Sequence, residues 1–374
     1  MRIGIDMRMA GTQHGGIGRY VFELARHVLK SDKDSEYCLF YNRDSDELVR
    51  GLKSRNHKVK LIETNIKHYS LKEQLLFPMV LNRCNLDLMH FPNFNVPILY
   101  KRPFVVTVHD LIHSRMGGVK KTNLLHYWAY KKIIKSALVR ATKIITVSKA
   151  SRDDLVSDFT IPENKLAVVY EAASMGINRN EKQIFLSRQK FFLNKPYFIF
   201  VGSLQRNKNI IKLCEGFGEF LKKYEHDFDL VIVGKIDSHY PGIKSECLAL
   251  PCAENLVFTG PVDDADLDAL YGGAYAFVSA SLFEGFGLPG LEAMNFGLPL
   301  AVSNIPVFNE IYQNGAIYFD PSNPEDIAQC LNLLAQDSLY YTQVKNKALE
   351  RARAFSWKKC AEETLGVYKG LSKI

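Results

Sequence analysis

Residues 281–292 read Ser281-Leu-Phe-Glu-Gly-Phe-Gly-Leu-Pro-Gly-Leu-Glu292. Two acids, Glu284 and Glu292, flank a Gly-Phe-Gly turn, and Pro289 stands where a helix would begin. Glycine permits a tight turn and close approach of the backbone to a ligand, and proline is favoured in the first turn of a helix. The sequence therefore predicts a helix N-terminus whose unpaired amides, at 287–291, form an anion site beside two carboxylates.

A nucleotide-sugar fits this pattern, because its diphosphate can meet the amides, its ribose diol one acid and its sugar the other. The stretch resembles the E-x7-E motif of retaining GT-B glycosyltransferases of family 4, and it looks most like the bacterial surface-polysaccharide (O-antigen or capsule) mannosyltransferases. The resemblance implies that Glu292 holds the ribose hydroxyls and that Glu284 contacts the donor sugar. It also implies donor contacts from Phe286, Gly287 and Leu288.

The chain has 374 residues, which is too long for one ordinary core, so two domains are expected. Apolar strand-like runs alternate with amphipathic helical stretches, a pattern typical of parallel sheets covered on both faces. The resemblance implies an α/β GT-B fold, with two Rossmann-like domains whose parallel sheets face a central cleft. We predict an acceptor-binding domain at 1–185 with 356–374, and a nucleotide-sugar-binding domain at 190–355.

The predicted strands fall into two series. Those of the first series lie at 2–6, 37–41, 58–62, 87–90, 104–108 and 143–147. Those of the second series lie at 197–201, 230–233, 256–259, 275–279 and 298–302. Helices are predicted near 17–30, 70–83, 122–139 and 149–158, and Ser356 is expected to cap a final helix.

The charge is unevenly distributed. Residues 1–185 hold 30 Lys and Arg against 18 Asp and Glu, whereas the remainder has a net charge of −4. A basic first half indicates an anionic partner or a solvated basic face. The seven cysteines form no Cys-x-x-Cys pair, no apolar run is long enough to span a membrane, and the N-terminus lacks the apolar core of a signal peptide. We expect a cytoplasmic protein, in peripheral contact with the cytoplasmic face of the membrane.

A glycine-rich segment follows the first predicted strand. It reads Gly11-Thr-Gln-His-Gly-Gly-Ile-Gly-Arg-Tyr20, in which Gly15, Gly16 and Gly18 suit a phosphate-contacting loop. Its spacing differs from the Gly-x-Gly-x-x-Gly pattern, which weakens a NAD-binding oxidoreductase as an alternative. By resemblance, Gly16 offers its amide to the donor diphosphate.

His109 and Asp110 end a predicted buried strand, on the side where ligands of open α/β sheets bind. A lone histidine here is more often a satisfied, half-buried side chain, but the resemblance implies that His109 orients the transferred sugar. His90 and His113 are interpreted as structural. Ser148, at a later strand end, is expected to face the cleft.

The first strand of the second series is followed by Ser203-Leu-Gln-Arg-Asn-Lys-Asn209. Cations here can neutralise a departing diphosphate. The family pattern is Arg-Lys-Asn, so Lys208 aligns with its lysine, Asn207 replaces its arginine, and Arg206 stands one position early. Ser203, Arg206 and Lys208 are predicted donor contacts.

Val262 lies where the family holds the nucleotide base with backbone groups. The neighbouring Asp264-Ala-Asp266 resembles an Asp-x-Asp metal motif, but it precedes a helical pattern and is interpreted as helix capping. No metal and no other cofactor are expected, because fixed cations and helix dipoles supply the charge.

Two segments are candidates for contact with a membrane or a lipid-linked acceptor. One is the basic, aromatic helix at 120–135, which can equally pack on the sheet with its lysines in water. The other runs from Tyr69 to Leu81 and includes Leu75, Leu76, Phe77 and Met79.

The resemblance implies a metal-independent retaining hexosyltransferase, with His109, Lys208 and Glu284 as its catalytic residues. The expected donor is GDP-mannose or a UDP-sugar, and the expected acceptor is lipid-linked or a polysaccharide. Front-face attack by the acceptor hydroxyl is favoured over a covalent intermediate. Three alternatives remain: an inverting relative or sugar-nucleotide epimerase, a NAD-binding oxidoreductase, and a basic nucleic-acid-binding protein, although the nucleic-acid motifs are missing.

Overall fold

The computed structural model describes residues 1–11, 15–53, 58–111, 124–173 and 180–371. They form two compact units, residues 1–172 with 355–374 and residues 173–354. The first unit therefore ends before the predicted residue 185. The reason is a helix at Glu181–Lys190 that packs on the helix at Asp264–Gly273 in the second unit.

The first unit is built on seven parallel strands. In chain order these are β1 (Arg2–Asp6), β2 (Glu36–Tyr41), β3 (Val59–Glu63), β4 (Leu88–Phe91), β5 (Phe104–Val108), β6 (Lys143–Thr146) and β7 (Leu166–Val168). The helices are α1 (Gly15–Ser31), α2 (Asp46–Lys53), α3 (Leu71–Asn82), α4 (Leu124–Arg140), α5 (Lys149–Phe159) and, at the end of the chain, α14 (Trp357–Leu371).

The spatial order of this sheet is β3-β2-β1-β4-β5-β6-β7. The order reverses between β1 and β4, which places the crevice of an open α/β sheet at the carboxyl ends of these two strands. All five residues of β5 are buried, as expected for a central strand covered by helices on both faces.

The second unit has six parallel strands. They are β8 (Tyr197–Val201), β9 (Asp229–Val233), β10 (Leu256–Gly260), β11 (Ala276–Ser279), β12 (Leu300–Ser303) and β13 (Ala316–Phe319). Its helices are α6 (Glu181–Lys190), α7 (Ile210–Tyr224), α8 (Ile243–Leu248), α9 (Asp264–Gly273), α10 (Leu288–Asn295), α11 (Pro306–Tyr312), α12 (Pro324–Gln336) and α13 (Ser338–Ala352).

The order of the second sheet is β10-β9-β8-β11-β12-β13, with its switch point between β8 and β11. Glycines with positive φ, Gly202 and Gly234, directly follow the neighbouring strands β8 and β9. A Cβ on Gly234 would lie 1.9 Å from the carbonyl oxygen of Gly202. The backbones at this sheet edge approach each other so closely that only glycine fits.

The fold class is confirmed: both units are parallel-sheet, Rossmann-like α/β structures. The predicted strands match the observed ones within a few residues. Two edge strands, β7 and β13, were not predicted, because both are short and only partly buried and so give little apolar signal. The predicted helix at 122–139 is observed as α4, and residues 112–123 lie outside the described part of the chain.

The last helix, α14, belongs to the first unit and packs on α1. Ser356 Oγ accepts a hydrogen bond from the Lys359 amide at 3.2 Å, which is an N-terminal cap. Buried Tyr368 reaches His90 of β4, with 2.5 Å between its hydroxyl and the ring Nδ1. These contacts tie the end of the chain to the centre of the first sheet.

A buried ion cluster closes the carboxyl end of β1. The Arg8 guanidinium contacts Asp6 Oδ2 at 2.7 Å and Glu73 Oε1 of α3 at 2.8 Å, and it stacks on the Phe77 ring at 3.6 Å. Burial by itself would raise the pKa values of both acids, but the charge and hydrogen bonds of Arg8, together with His68 beside Glu73, hold them below their usual range. The cluster fixes α3 to the sheet.

Within the described residues, no helix has the length and apolar character needed to cross a bilayer.

Candidate functional site

The centre of the predicted site in the second unit is an ion pair between Lys208 and Glu284. Lys208 ends a short 3₁₀ turn after β8, and its Nζ donates to Glu284 Oε1 at 2.5 Å. The side chain of Lys208 is 15% exposed and that of Glu284 is 14% exposed. Ser281 Oγ donates to the same carboxylate oxygen at 2.8 Å, so the acid is held from two sides. The structure thus brings together two predicted residues that lie 76 positions apart in the sequence.

Helix α10 begins beside this pair with Gly287 as its N-cap, at φ 94°. Tyr312 fixes this turn, because its hydroxyl donates to the Gly287 carbonyl at 2.6 Å and its ring packs on Gly290. A Cβ on Gly287 would lie 2.2 Å from that hydroxyl oxygen. The turn therefore requires glycine for both its backbone conformation and its packing.

The prediction of unpaired amides throughout 287–291 is corrected by these contacts. The Leu291 amide donates to the Gly287 carbonyl as the first bond of the helix, and Gly290 is buried against the Tyr312 hydroxyl. Pro289 has no amide hydrogen. The amides of Gly287 and Leu288, both predicted donor contacts, stay candidates for binding an anion.

Glu292 lies one turn inside α10 and is buried. Its Oε2 accepts a hydrogen bond from the hydroxyl of Tyr271 at 3.2 Å, and the same hydroxyl lies 3.1 Å from the Pro289 carbonyl. Tyr271 on α9 therefore links the carboxylate of Glu292 to the first turn of α10. Phe286 is buried and Leu288 is half-buried beside them.

Asn207, at the position of the family arginine, has a structural role. It is buried, its Nδ2 donates to the Phe283 carbonyl at 3.2 Å, and its carbonyl accepts from the Leu282 amide at 2.7 Å. These bonds join the turn after β8 to the loop that carries Glu284. The exposed Arg206 instead lies over the Tyr240 ring, with 5.1 Å between its Cζ and the ring centroid. Ser203 is exposed in the same segment.

The Asp-x-Asp segment caps a helix, as predicted. Asp263 is the N-cap of α9 and accepts a hydrogen bond from the Asp266 amide at 2.8 Å. Asp264 and Asp266 lie in the first turn, and Asp266 pairs with Lys190 of α6. Val262, which directly precedes this turn, is half-buried.

His109 belongs to the first unit, at the end of β5. Its Nδ1–H donates to Glu171 Oε1 at 2.7 Å, and its Nε2–H donates to the Pro92 carbonyl at 2.9 Å. Both partners are acceptors, so the doubly protonated ring satisfies both bonds. Burial opposes the charge, but Glu171 and the Pro92 carbonyl outweigh it and raise the pKa of His109.

We expect the stability contributed by the His109–Glu171 pair to depend on pH. A raised folded-state pKa contributes stability that is complete below the unfolded value of about 6.5 and is lost as the pH rises through the folded value. The unfolding free energy of wild type minus that of Glu171→Gln should therefore fall as the pH rises above about 6.5, through the raised pKa of His109. Denaturant titrations across this range measure it. The exposed Glu163→Gln is the control, and a difference that stays constant with pH would contradict the assignment.

The glycine segment of the first unit differs from the predicted loop. Gly15, Gly16 and Gly18 form the first turn of α1, and Gly16 is exposed there. Gly18 is buried where a Cβ would lie 1.9 Å from the Gly11 carbonyl oxygen. Gly18 is thus needed for packing, and Gly16 remains the exposed backbone donor of this turn.

Two other predictions concerned strand ends in the first unit. Ser148, which was expected to face the cleft, is instead buried and caps α5, and its Oγ accepts a hydrogen bond from the Ser151 amide at 3.0 Å. His90 is structural, as predicted: it is fully buried, it lies 2.8 Å from Thr107 Oγ1, and burial together with the nearby charge of His109 lowers its pKa to about 3. His113 lies outside the described residues.

Four residues that position the predicted site were missed. The side chain of each holds a predicted residue or turn, through a contact distant in sequence for Glu171, Tyr271 and Tyr312 and through a local contact for Ser281. Ser281 stood next to the motif and could have been included. The tyrosines carry no local signal, because a tyrosine inside an amphipathic helix looks like any other core residue.

The two units, each built on a parallel sheet covered by helices, are typical of the GT-B fold. Two family models match the chain in succession, Glycosyltransferase Family 4 over residues 14–173 and Glycosyl transferases group 1 over residues 181–351. Together they extend over most of both units. The chain therefore belongs to the GT-B glycosyltransferases of the family-4 type.

Within this class, the chain is similar to O-antigen mannosyltransferases. It is 26% identical over 372 residues to O-antigen chain mannosyltransferase B of Escherichia coli, covering 95% of this chain and 96% of that protein. It is also 26% identical to O-antigen chain mannosyltransferase RfbU of Salmonella typhimurium, covering 67% of this chain and 66% of that one. In fold it resembles HepE of Anabaena in complex with UDP-glucose, with a TM-score of 0.75 at 15% identity and 100% coverage of both chains.

Proposed function

We propose that this chain is a retaining mannosyltransferase that moves mannose from a nucleotide-diphosphate sugar to a glycan acceptor. The donor that we expect is GDP-mannose, in preference to a UDP-sugar. The observation that carries the proposal is the Lys208–Glu284 pair beside the N-terminus of α10. In this proposal, the Lys208 cation, the amides of Gly287 and Leu288 and the acids Glu284 and Glu292 act on one bound nucleotide-sugar. The names of the relatives support mannose as the sugar.

The chemistry of this site is stabilisation of a leaving group. The acceptor hydroxyl forms a bond to the anomeric carbon, the bond from that carbon to the phosphate oxygen breaks, and the nucleoside diphosphate leaves with its electron pair. Its developing charge is met by Lys208 and by the Gly287 and Leu288 amides, which already point to the site before reaction. The hydroxyl proton passes to the departing phosphate, as front-face attack requires.

An ammonium group has three donors, so Lys208 can bind the diphosphate while it keeps its bond to Glu284. Glu284 Oε1 already takes two hydrogen bonds, which leaves Oε2 for a hydroxyl of the donor sugar. Glu292, held by Tyr271, is assigned the ribose hydroxyls. Ser203, Arg206, Val262 and Phe286 complete the donor contacts in this proposal.

The first unit is proposed to bind the acceptor and to contribute the Gly16 amide and His109. Contact between His109 and the sugar requires its Nε2–H to exchange the Pro92 carbonyl for a sugar hydroxyl. The acceptor is proposed to be lipid-linked or a growing polysaccharide, reached from the cytoplasm by peripheral contact with the membrane. Transfer is proposed to need no metal ion.

The two family models both describe glycosyltransferases, so an oxidoreductase or a nucleic-acid-binding protein is not favoured. The deciding experiment is a thermal-shift and calorimetric panel of GDP-mannose, UDP-glucose, UDP-N-acetylglucosamine, UDP-galactose and NAD, with chelator and without added metal. We expect binding of GDP-mannose. Glu292→Ala should weaken it about ten- to a hundredfold, since hydrogen bonds to a charged group contribute about 1.5–3 kcal/mol.

The control for this panel is Glu219→Ala, an exposed acid on α7, which should bind as wild type does. If a UDP-sugar binds in place of GDP-mannose, the assigned donor changes, but the proposal of a glycosyltransferase stands. Binding of NAD alone, or of a nucleotide-sugar equally well by Glu292→Ala, would contradict the proposed site. A metal requirement would appear as loss of binding or transfer in chelator.

A further inference from the structure

Helix α3 is apolar on both of its faces, although only one face is buried. Its inner face contains Glu73, Phe77 and Leu81, all at 0% exposure. Its outer face presents Leu71 at 84% and Leu75 at 59% exposure, and Leu76 and Met79 are also exposed. A surface helix ordinarily has polar residues on its outer side. The sequence prediction that included Phe77 in an exposed surface is wrong for that residue and holds for the other three.

Neighbouring side chains enlarge this apolar area. Tyr69, directly before the helix, is 60% exposed. The Ile98 amide donates to Gln74 Oε1 of α3 at 2.9 Å, so the exposed Ile98 and Leu99 lie beside the same helix. The α3 surface is defined by these seven side chains: Tyr69, Leu71, Leu75, Leu76, Met79, Ile98 and Leu99. Contiguous apolar surfaces of this kind on a folded protein mark a contact with a partner or a membrane.

The charges around the α3 surface are basic. Lys67, Lys72, Arg83 and Lys101 are exposed on the segments that carry it. The one acid between residues 64 and 86 is Glu73, and it is buried in its pairing with Arg8. The surface therefore combines aliphatic side chains with exposed positive charge.

We infer that the α3 surface is a membrane-docking face that lies on an anionic lipid bilayer. Aliphatic side chains enter the boundary between headgroups and acyl chains, and lysines and arginines beside them attract anionic headgroups. A second copy of the chain fits less well, because a twofold contact would bring the same basic residues together. The inference gives the membrane contact of the proposed function a place in the fold and rests on that function only for the choice of lipid.

The rigidity of α3 supports this role. Glu73 holds the helix through Arg8, through the Asn95 side-chain amide at 2.7 Å and through the Tyr69 backbone amide at 2.7 Å. The apolar side chains are thus presented on a fixed helix that need not fold on contact. A preformed surface loses less conformational entropy when it binds.

The test is sedimentation of the full chain with phosphatidylglycerol–phosphatidylethanolamine vesicles and with phosphatidylcholine vesicles. Wild type should bind the anionic vesicles, and the double variant Leu75→Glu, Met79→Glu should bind them at least about tenfold more weakly. Both replaced side chains are exposed, so folding should be unaffected. The matched control is Leu339→Glu on α13, 69% exposed in the second unit, which should bind as wild type does.

Failure of wild type to bind anionic vesicles, or equal binding by the double variant, would overturn the inference. A second result would also overturn it: wild type that forms a dimer in sedimentation velocity but does not bind vesicles, together with a double variant that is monomeric. The α3 surface would then join two copies of the chain. Donor binding, measured on the same preparations with GDP-mannose, should be equal in all variants. If wild type does not bind GDP-mannose, the result counts against the proposed function. The vesicle result still decides the membrane inference, because it does not depend on donor binding.

Discussion

Replacing Lys208 by methionine should lower kcat about a hundred- to a thousandfold, with a much smaller change in KM. This is the cost observed when one preorganised donor to a developing negative charge is removed. The effect falls on kcat because the charge on the diphosphate grows in the transition state, so the interaction is stronger there than in the bound donor. Steady-state kinetics of sugar transfer measure both constants.

The variant also leaves Glu284 without its cation, so folding and catalysis must be separated. The double variant Lys208→Met, Glu284→Gln removes the unpaired charge and should regain thermal stability without regaining kcat. The control is Lys212→Met on α7, whose lysine is 43% exposed and pairs with Glu215 in the same helix. It should stay within about twofold of wild type, as exposed pairs contribute little. A normal kcat for Lys208→Met would remove this lysine from the mechanism.

Replacing Arg8 by methionine should destabilise the first unit by about 3–5 kcal/mol, the usual cost of breaking a buried ion pair from one side. Two buried acids, Asp6 and Glu73, would lose the cation that lies 2.7–2.8 Å from both. In a unit of this size the melting temperature should fall by on the order of 10 °C. Calorimetry and denaturant titration measure the loss.

The stability that is lost on replacing Arg8 by methionine should depend on pH. The folded-state pKa values of Asp6 and Glu73 are lowered, so the stability that Arg8 supplies is present above their unfolded values of about 4 and disappears in acid. Adding Asp6→Asn and Glu73→Gln to Arg8→Met should recover most of the loss, because no buried charge then remains unpaired. Arg50→Met, which breaks an exposed pair with Asp46, should cost less than about 1 kcal/mol. Equal losses in the two single variants would contradict the role of burial.

The local structure around the proposed donor site was predictable from sequence. A Gly-Phe-Gly turn followed by proline specifies a turn and a helix start whatever lies around it, because glycine and proline restrict the backbone directly. The same holds for the central strands, since β5 and β8 are continuous apolar runs that only a covered sheet can bury. The positions of Glu284 and Glu292 relative to α10 follow from this local structure.

Errors arose where a local pattern had two structural outcomes. The glycines at 15–18 fit a phosphate loop, yet they open α1, because Gly18 must pass the Gly11 carbonyl closely. Ser148 could face a ligand or cap a helix, and the helix that starts there uses it as a cap. Neighbouring residues alone do not distinguish these outcomes.

The sequence by itself determined the alternation of strands and helices, the class of the fold and the turn at 285–289, and it supplied the candidate residues of the proposed donor site. Only the tertiary structure decided which of those residues meet. Lys208 and Glu284 are 76 positions apart, and His109 and Glu171 are 62 apart. Each pair joins loops at the carboxyl ends of different strands, so its contact depends on strand order. That order is set by how the whole sheet buries its apolar faces, and no short stretch of sequence contains it.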